Sequence, residues 1–303
     1  MRILVTGGAG FIGSNLARRL SSDGHEVVVI DDFSSAHWPN LKDFKGDVLT
    51  GDVFSDLRLL ESQQPFDVIS HQASITDTTV MDQKKMMQNN VEAFRNLLDL
   101  AVRWGSRVVW ASSCSIYGQG PVPMKEAQPP DPLNVYAFSK MVMEHLAAEY
   151  QPRLKQPIVG LRYSNVYGRG EGHKGKFASM IYQLAKQMRS GSRPRIFYDG
   201  QQRRDFVYID DVVQINLKAM ASPSPGVFNA GYGQAFSFNQ VVEHINRVLK
   251  TALPPDYFEN PYSFTQDWTQ TDLTESRRVL GYEPKFDLER GIDAYHASGY
   301  LGA

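Results

Sequence analysis

The sequence predicts an α/β protein, a doubly wound parallel sheet joined to a smaller mixed α/β lobe. Short runs rich in valine and isoleucine alternate with helical patterns through the first half, as strands covered by helices on both faces require. A glycine-rich turn separates the first run from the first helix. Beyond about residue 165 the alternation yields to glycine-rich loops and proline-containing segments, which marks the second lobe.

The strand candidates are "RILVT" (2–6), "EVVVI" (26–30), "GDVLTGDV" (46–53), "FDVIS" (66–70), "RVVWASS" (107–113) and "PIVGLRY" (157–163). Continuous apolar character without alternation is the mark of burial on both faces. Between them "SNLARRLSSDG", "MMQNNVEAFRNLLDLAVRWG" and "VYAFSKMVMEHLAAEY" carry helical periodicity and stop near a glycine or proline. Farther on, "FASMIYQLAKQM" reads as a helix beginning near Lys176, whose first N–H groups would aim at a diphosphate, and "RIFY" reads as a strand. Residues 1–165 are expected to form a dinucleotide-binding domain, with about 205–245 returning to it. Segments 166–204 and 246–303 are expected to form the substrate-binding lobe.

Composition narrows the function. Among 303 residues, 32 Lys and Arg nearly cancel 33 Asp and Glu, so no general field draws nucleic acid or an anionic membrane. Any anion must be met locally. Cys114 is the single cysteine, which excludes an internal disulfide and suits a reducing compartment. The opening "MRILVTGGAGFIG" is unlike a signal peptide, and no apolar run is long enough to span a bilayer. A cytoplasmic protein with no membrane partner is expected.

"VTGGAGFIGSNL" spaces Gly7, Gly10 and Gly13 across the first strand-to-helix turn, with Phe11 and Ile12 between the last two. Such glycines let backbone approach a pyrophosphate while helix N–H groups meet its charge. Asp31 and Asp32 end the second strand, Asp31 eighteen positions after Gly13. A carboxylate there binds the adenosine ribose and repels a 2′-phosphate. Asp52, with Val53, is expected at the adenine, although Asp47 competes. Gln72, Ala73 and Ser74 close the fourth strand where the middle of the cofactor would pass, and Asn90 is placed with the cofactor too. His71 reads as a packed strand-end residue without chemistry.

"YAFSK" sets Tyr136 and Lys140 on one helix face. A phenol titrates near 10, so acting as a base at neutral pH costs roughly 4 kcal/mol. A nearby lysine and a cofactor cation can supply much of it. "WASSCSIYG" offers hydroxyls at Ser112, Ser113 and Ser115, one of which should hold the reacting oxygen against Tyr136.

In order, "TGGAGFIG", "SSCSIYG", "YAFSK" and "LRYSNVYG" resemble the extended short-chain dehydrogenase/reductase family of nucleotide-sugar epimerases and dehydratases, over nearly the whole chain. The resemblance implies a Rossmann-type fold and a nicotinamide cofactor. It implies Ser113 as the residue binding the substrate hydroxyl, Tyr136 as the acid/base, Lys140 on the nicotinamide ribose, Tyr163 along the cofactor and Asn165 on the substrate. NAD is expected because "IDDFSS" lacks a basic residue after the aspartates, with NADP as the alternative if Lys42 or Lys45 folds back. Relatives form dimers, and the helices "MMQNNVEAFRNLLDLAVRW" and "YAFSKMVMEHLAAEY" would pair in such a homo-oligomer.

"NVYGRGEGHKG", "RRDFVYIDDV", "TDTTVMDQKKMMQNN", "PLNVYAFSK" and "TQTDL" resemble the ADP-glycero-manno-heptose 6-epimerase subfamily. There a side-chain carbon of the sugar is oxidised, the carbonyl swings over and hydride returns to its opposite face. The resemblance makes Lys174 the second acid/base, opposite Tyr136. His173 and Lys176 could share that work or pair with phosphate; Ser74 and His173 are also expected at the substrate. Gly172 and Gly175 beside Lys174 would permit close backbone approach. Arg204 corresponds to the arginine gripping the nucleotide-diphosphate sugar, with Arg203 its surface neighbour. Asp210 or Asp211 reads as a helix cap. The spacing of "NPYSFTQDWTQTDL" leaves open whether Tyr262 or Trp268 meets the nucleotide. The rivals are a UDP-sugar 4-epimerase or a dehydratase, the latter disfavoured by Cys114 and Ser115 beside Ser113, and a non-catalytic dinucleotide sensor, disfavoured by the intact Ser113, Tyr136 and Lys140. No metal site is expected.

Overall fold

The computed structural model describes residues 1–77, 80, 82–259 and 266–303. Strands β1 (Arg2–Thr6), β2 (Glu26–Asp31), β3 (Asp47–Thr50), β4 (Val68–His71), β5 (Arg107–Ser113) and β6 (Ile158–Tyr163) are those the apolar runs predict. Every adjacent pair is parallel. With β11 (Gly226–Ala230) on the β6 edge, the order is β11-β6-β5-β4-β1-β2-β3, the doubly wound arrangement with its reversal between β1 and β4.

Successive strand residues serve opposite faces. Ile3 and Val5 join one core with Leu16 and Leu20 of helix α1 (Phe11–Ser22), while Leu4 joins another with Leu97 of helix α4 (Ala93–Trp104). Before α4 come α2 (Leu57–Glu61) and α3 (Gln83–Met87). The single helix expected over 86–104 is broken by a π-turn at Gln88–Glu92. Asn90 explains it: buried at 0% exposure, it accepts from the Ile75 amide at 2.8 Å and donates to the Ile75 carbonyl at 3.2 Å and to Ser139 Oγ at 2.9 Å. Turning that side chain inward costs one regular helical bond and fastens the loop after β4.

Helix α5 (Val135–Tyr150) has the predicted bounds, capped by Asn134, whose Oδ1 accepts from Ala137 N at 2.8 Å. β7 (Asn165–Tyr167) follows β6, and helix α6 begins at Met180 (Met180–Arg189) rather than near Lys176. Residues 172–177 instead form a 3-10 turn in which Gly175 has φ +54°, a left-handed conformation that stops a helix. Among the described residues nothing crowds Gly175, so its need for glycine is conformational and not one of close approach.

Strand β8 (Arg195–Phe197) pairs with β13 (Asp256–Phe258), β9 (Arg203–Arg204) with β12 (Phe236–Ser237), and β10 (Phe206–Tyr208) with β7. Helix α7 (Ile209–Ala221) packs on α1. Helix α8 (Phe238–Leu249) packs on α6 and on α10 (Leu288–Ala297), with α9 (Thr274–Leu280) against β11. Neither aspartate of "IDDV" caps α7: Asp210 pairs with Arg169 at 2.9 Å, and Asp211 accepts from Lys285 N and Phe286 N at 2.8 and 2.9 Å. Both lie inside the first turn, past the capping position held by Tyr208. Among the described residues no helix is long and apolar enough to cross a membrane.

Candidate active site

At the carboxyl edge of the sheet, the turn from β1 into α1 forms a cradle. Gly7 adopts φ +63°, and a Cβ there would stand 2.7 Å from the Ala73 backbone. A Cβ on Gly13 would stand 2.2 Å from the Gly7 carbonyl oxygen. Gly10 is the N-cap of α1 and no described side chain caps its first amides, which leaves them available to an anion. Asp31, 7% exposed, accepts from Ala9 N and Phe33 N, each at 2.9 Å. Burial raises its pKa against those bonds. Asp32 is exposed and holds Ser34 N at 2.9 Å. This geometry fits a dinucleotide: glycine clearance, free helix amides and a fixed carboxylate at the end of the second strand converge.

The strand register separates Asp52 from Asp47. Asp47 opens β3 opposite Val28, whereas Asp52 follows the strand beyond the Asp31–Thr50 pair, on the ligand edge. Asp52 accepts from Phe54 N at 2.9 Å. Val53 is 4% exposed within the core, and its carbonyl accepts from Asn96 Nδ2 at 3.4 Å. Gln72 Oε1 accepts from Tyr163 Oη at 3.0 Å, and the same phenol bonds Asn216. The Ala73 amide donates to Thr6 Oγ1 at 3.1 Å, and Ser74 Oγ reaches the Ile75 carbonyl at 3.5 Å. His71 is packed as expected: Nδ1 lies 2.7 Å from Thr6 Oγ1, the ring stacks on Phe94, and burial, helped by Lys140, drives its pKa to about 3. Lys42 and Lys45 are exposed.

Where β5 ends, Ser113 and α5 bring the proton-transfer groups together. Burial raises the pKa of the Tyr136 phenol, the Ser113 hydroxyl acts in the opposite sense, and the net direction is upward. The chain alone therefore does not make the phenol basic. Lys140, 1% exposed, donates from Nζ to the Ala111 carbonyl at 2.7 Å and lies 5.8 Å from the Tyr136 ring centre. Burial lowers its pKa to about 7. Of the other hydroxyls, Ser112 is committed to Glu144 at 2.7 Å, and Ser115 Oγ is buried with no partner among the described residues. Ser113 is thus the one that meets Tyr136.

A cavity of about 250 Å³ has a wall that includes Asn165, Lys174, Arg204, Phe197, Phe238 and Phe258. Lys174 is half-buried and its Nζ lies 5.9 Å from the ring centre of Phe11 at the start of α1. That places it between the cradle and the cavity. Burial lowers its pKa, opposed by the charge of Glu171. Arg204 has its pKa pulled down to about 10 by burial, against Asp267. Asn165 Nδ2 donates to the Asp205 carbonyl at 3.1 Å.

His173 does not share this wall. It stacks on His37 with ring centres 5.7 Å apart, its Nδ1 3.4 Å from Asn40 Nδ2, because Asn40 and His37 also bond the Ala9 carbonyl and draw this loop toward the cradle. Lys176 is exposed over Phe177. The α6 start expected to face a diphosphate is partly taken: Ser179 N donates to Glu171 Oε2 at 2.5 Å and Tyr182 N to Ser179 Oγ at 3.2 Å. Trp268 is 48% exposed beneath Arg203, whose guanidinium is 5.6 Å from its ring. Tyr262 lies outside the described residues, as do Thr78, Thr79 and Met81 of the "TDTTVM" motif.

Sequence reasoning passed over Glu171, the Phe197–Phe258 edge contact at 4.9 Å and Asp205, which accepts from four donors on Tyr232, Gly233 and Thr271. A lone acid inside "GRGEGHKG" was the available signal for Glu171. Among the described residues no group of three or more His, Cys, Asp or Glu could hold a metal.

A profile described as the NAD dependent epimerase/dehydratase family matches residues 3–231. Among solved structures, ADP-L-glycero-D-manno-heptose-6-epimerase of Helicobacter pylori is 40% identical, covering 98% of this chain and 95% of that one with a TM-score of 0.92. The UDP-glucose 4-epimerase of Thermotoga maritima, determined with UDP-glucose, is 28% identical over 99% and 98% with a TM-score of 0.91. The UDP-glucuronic acid 4-epimerase of Bacillus cereus, in complex with UDP-glucuronic acid and NAD, is 27% identical over 99% of each chain with a TM-score of 0.86.

Proposed function

The chain belongs to the NAD dependent epimerase/dehydratase family, and from that premise we propose that it is a nucleotide-sugar epimerase of the ADP-glycero-manno-heptose 6-epimerase type. The reading rests above all on Lys174, a half-buried amine on a different element from Tyr136 that lines the cavity with Asn165 and Arg204. Two proton-carrying groups on separate walls suit an inversion in which the carbonyl turns over between steps.

Gly7, Gly10, Gly13 and the α1 amides would hold the pyrophosphate, Asp31 the adenosine ribose, and Lys140 with Tyr163 the nicotinamide side. When bound, NAD supplies a hydride acceptor that is also the donor. Ser113 orients the sugar hydroxyl, and Tyr136 takes or returns its proton, the ligand's positive charge offsetting the burial that works against the phenolate. Lys174 exchanges the proton for the opposite orientation. Arg204 binds the diphosphate through its fork of donors, and Asn165 fixes the sugar.

In this reading residues 1–165 carry the cofactor with help from β10, α7 and β11, and the remainder carries the sugar nucleotide. The protein works in the cytoplasm, at least as a dimer joined through α4 and α5, where Phe138 stays 45% exposed. Lys174→Met tests the reading on a panel of ADP-, UDP-, GDP- and CDP-sugars while cofactor absorbance is followed. We expect an ADP-heptose to be inverted by the parent, and inversion to fall about 10²–10⁴-fold in the variant with cofactor content unchanged. A UDP-hexose inverted equally by both proteins would overturn it.

A further inference from the structure

Glu171 is 1% exposed and sits within the loop that presents Lys174. Its side chain joins both ends of that loop. Oε1 accepts from Gly168 N and from Ser179 Oγ, each at 3.0 Å, and Oε2 accepts from Ser179 N at 2.5 Å. Its carbonyl accepts from Lys174 N at 2.9 Å, so the backbone beneath the amine is fixed by the same residue. Eleven positions separate Gly168 from Ser179, and one carboxylate closes them.

We propose that Glu171 is the positioning residue for Lys174: its carboxylate closes the 168–179 loop on itself, holds the amine at the cavity wall and supplies the negative charge opposite its ammonium. This rests on the reading of Lys174 as the second acid/base. A buried carboxylate is costly unless hydrogen-bonded and opposed by a positive charge. Here burial raises the Glu171 pKa, and the three donors, with the charge of Lys174, act against that rise. Among the described residues the phenols of Tyr167 on β7, Tyr182 on α6 and Tyr295 on α10 also face Glu171, all neutral near pH 7. His173, beside Lys174, has its pKa lowered mainly by burial. Lys174 is thus the cation that Glu171 can govern.

The test combines Glu171→Gln with Glu171→Asp and uses two readouts. Glutamine keeps the size but has no charge and cannot accept from Ser179 N with its amide nitrogen. We expect kcat for inversion to fall about 100-fold, the scale of a misplaced reacting group, with KM little changed. The second readout needs no substrate: the pH dependence of Lys174 acylation by acetic anhydride, followed by mass spectrometry. Removing the carboxylate should move its midpoint to lower pH, and Glu171→Asp should return it toward the parent. If Glu171→Gln does not fold, Ser179→Ala removes the Oγ bond while keeping the charge. It should lower kcat with no change in the acylation midpoint, and an unchanged kcat would overturn the proposal. A parental acylation profile in folded Glu171→Gln would leave only a structural role and overturn it also. Lys174→Met runs alongside: unchanged inversion there would remove the underlying reading and this assignment together, whereas lost inversion there with parental behaviour in Glu171→Gln overturns the assignment alone.

Discussion

Lys140→Met replaces a buried amine with a side chain of similar length and no charge. Lys140 is 1% exposed, bonded to the Ala111 carbonyl, and its pKa falls from 10.5 to about 7 through burial. A displacement of that size corresponds to about 5 kcal/mol of penalty on the charged form. Below pH 7 the amine is protonated in the folded and unfolded states alike, and the fold carries the whole penalty. Between 7 and 10.5 the unfolded chain binds the proton and the folded one does not, so parent stability rises with pH. Methionine removes that dependence but leaves the Ala111 carbonyl unpaired, a pH-independent loss of about 1–3 kcal/mol. The stability difference, variant minus parent, should therefore favour the variant by about 3 kcal/mol more at pH 6 than at pH 9. Guanidinium denaturation of both proteins in one cofactor state measures it. A difference that does not change with pH would refute the assignment of Lys140 as a desolvated amine poised near neutrality.

Gly13→Ala gains about 1 kcal/mol of helix propensity but sets a Cβ 2.2 Å from the Gly7 carbonyl oxygen and 2.8 Å from its carbon. Overpacking against backbone costs about 1–3 kcal/mol, so we expect a lower melting temperature and loss of bound cofactor on purification; parental cofactor content would contradict the cradle. Glu144→Gln breaks the 2.6 Å pair with Arg162, whose side chains are 12% and 7% exposed. An uncompensated buried guanidinium should cost about 3–5 kcal/mol in chemical denaturation, and a loss below about 1 kcal/mol would mean that water reaches the pair.

Much of this architecture was legible because it depends on local patterns. The runs at 2–6 and 107–113 match β1 and β5 residue for residue, since strands buried on both faces cannot alternate in polarity. The Tyr136–Lys140 face followed from helical spacing alone. Tertiary contacts decided the rest. The π-turn at 88–92 exists because Asn90 serves Ile75, and α6 starts late because Gly175 turns left-handed and Glu171 takes the Ser179 amide. Asp210 or Asp211 was expected to cap the helix that contains them, but Asp210 pairs with Arg169 and Asp211 holds a segment more than seventy residues away. Nor could composition reveal that the phenol of Tyr136 is raised by its surroundings, because burial is a property of the packed molecule. His173 and Lys174 are neighbours in the chain, yet they face different partners.

In the proposed reaction inversion is an oxidation and reduction at one carbon, with Tyr136 and Lys174 handling only the protons on oxygen. Running the epimerisation in D₂O and reading the inverted carbon of the product by NMR tests this most directly. The account predicts protium there, the hydrogen the substrate brought with it. Deuterium at that position would show that the carbon itself was deprotonated and reprotonated from solvent, and would contradict the account.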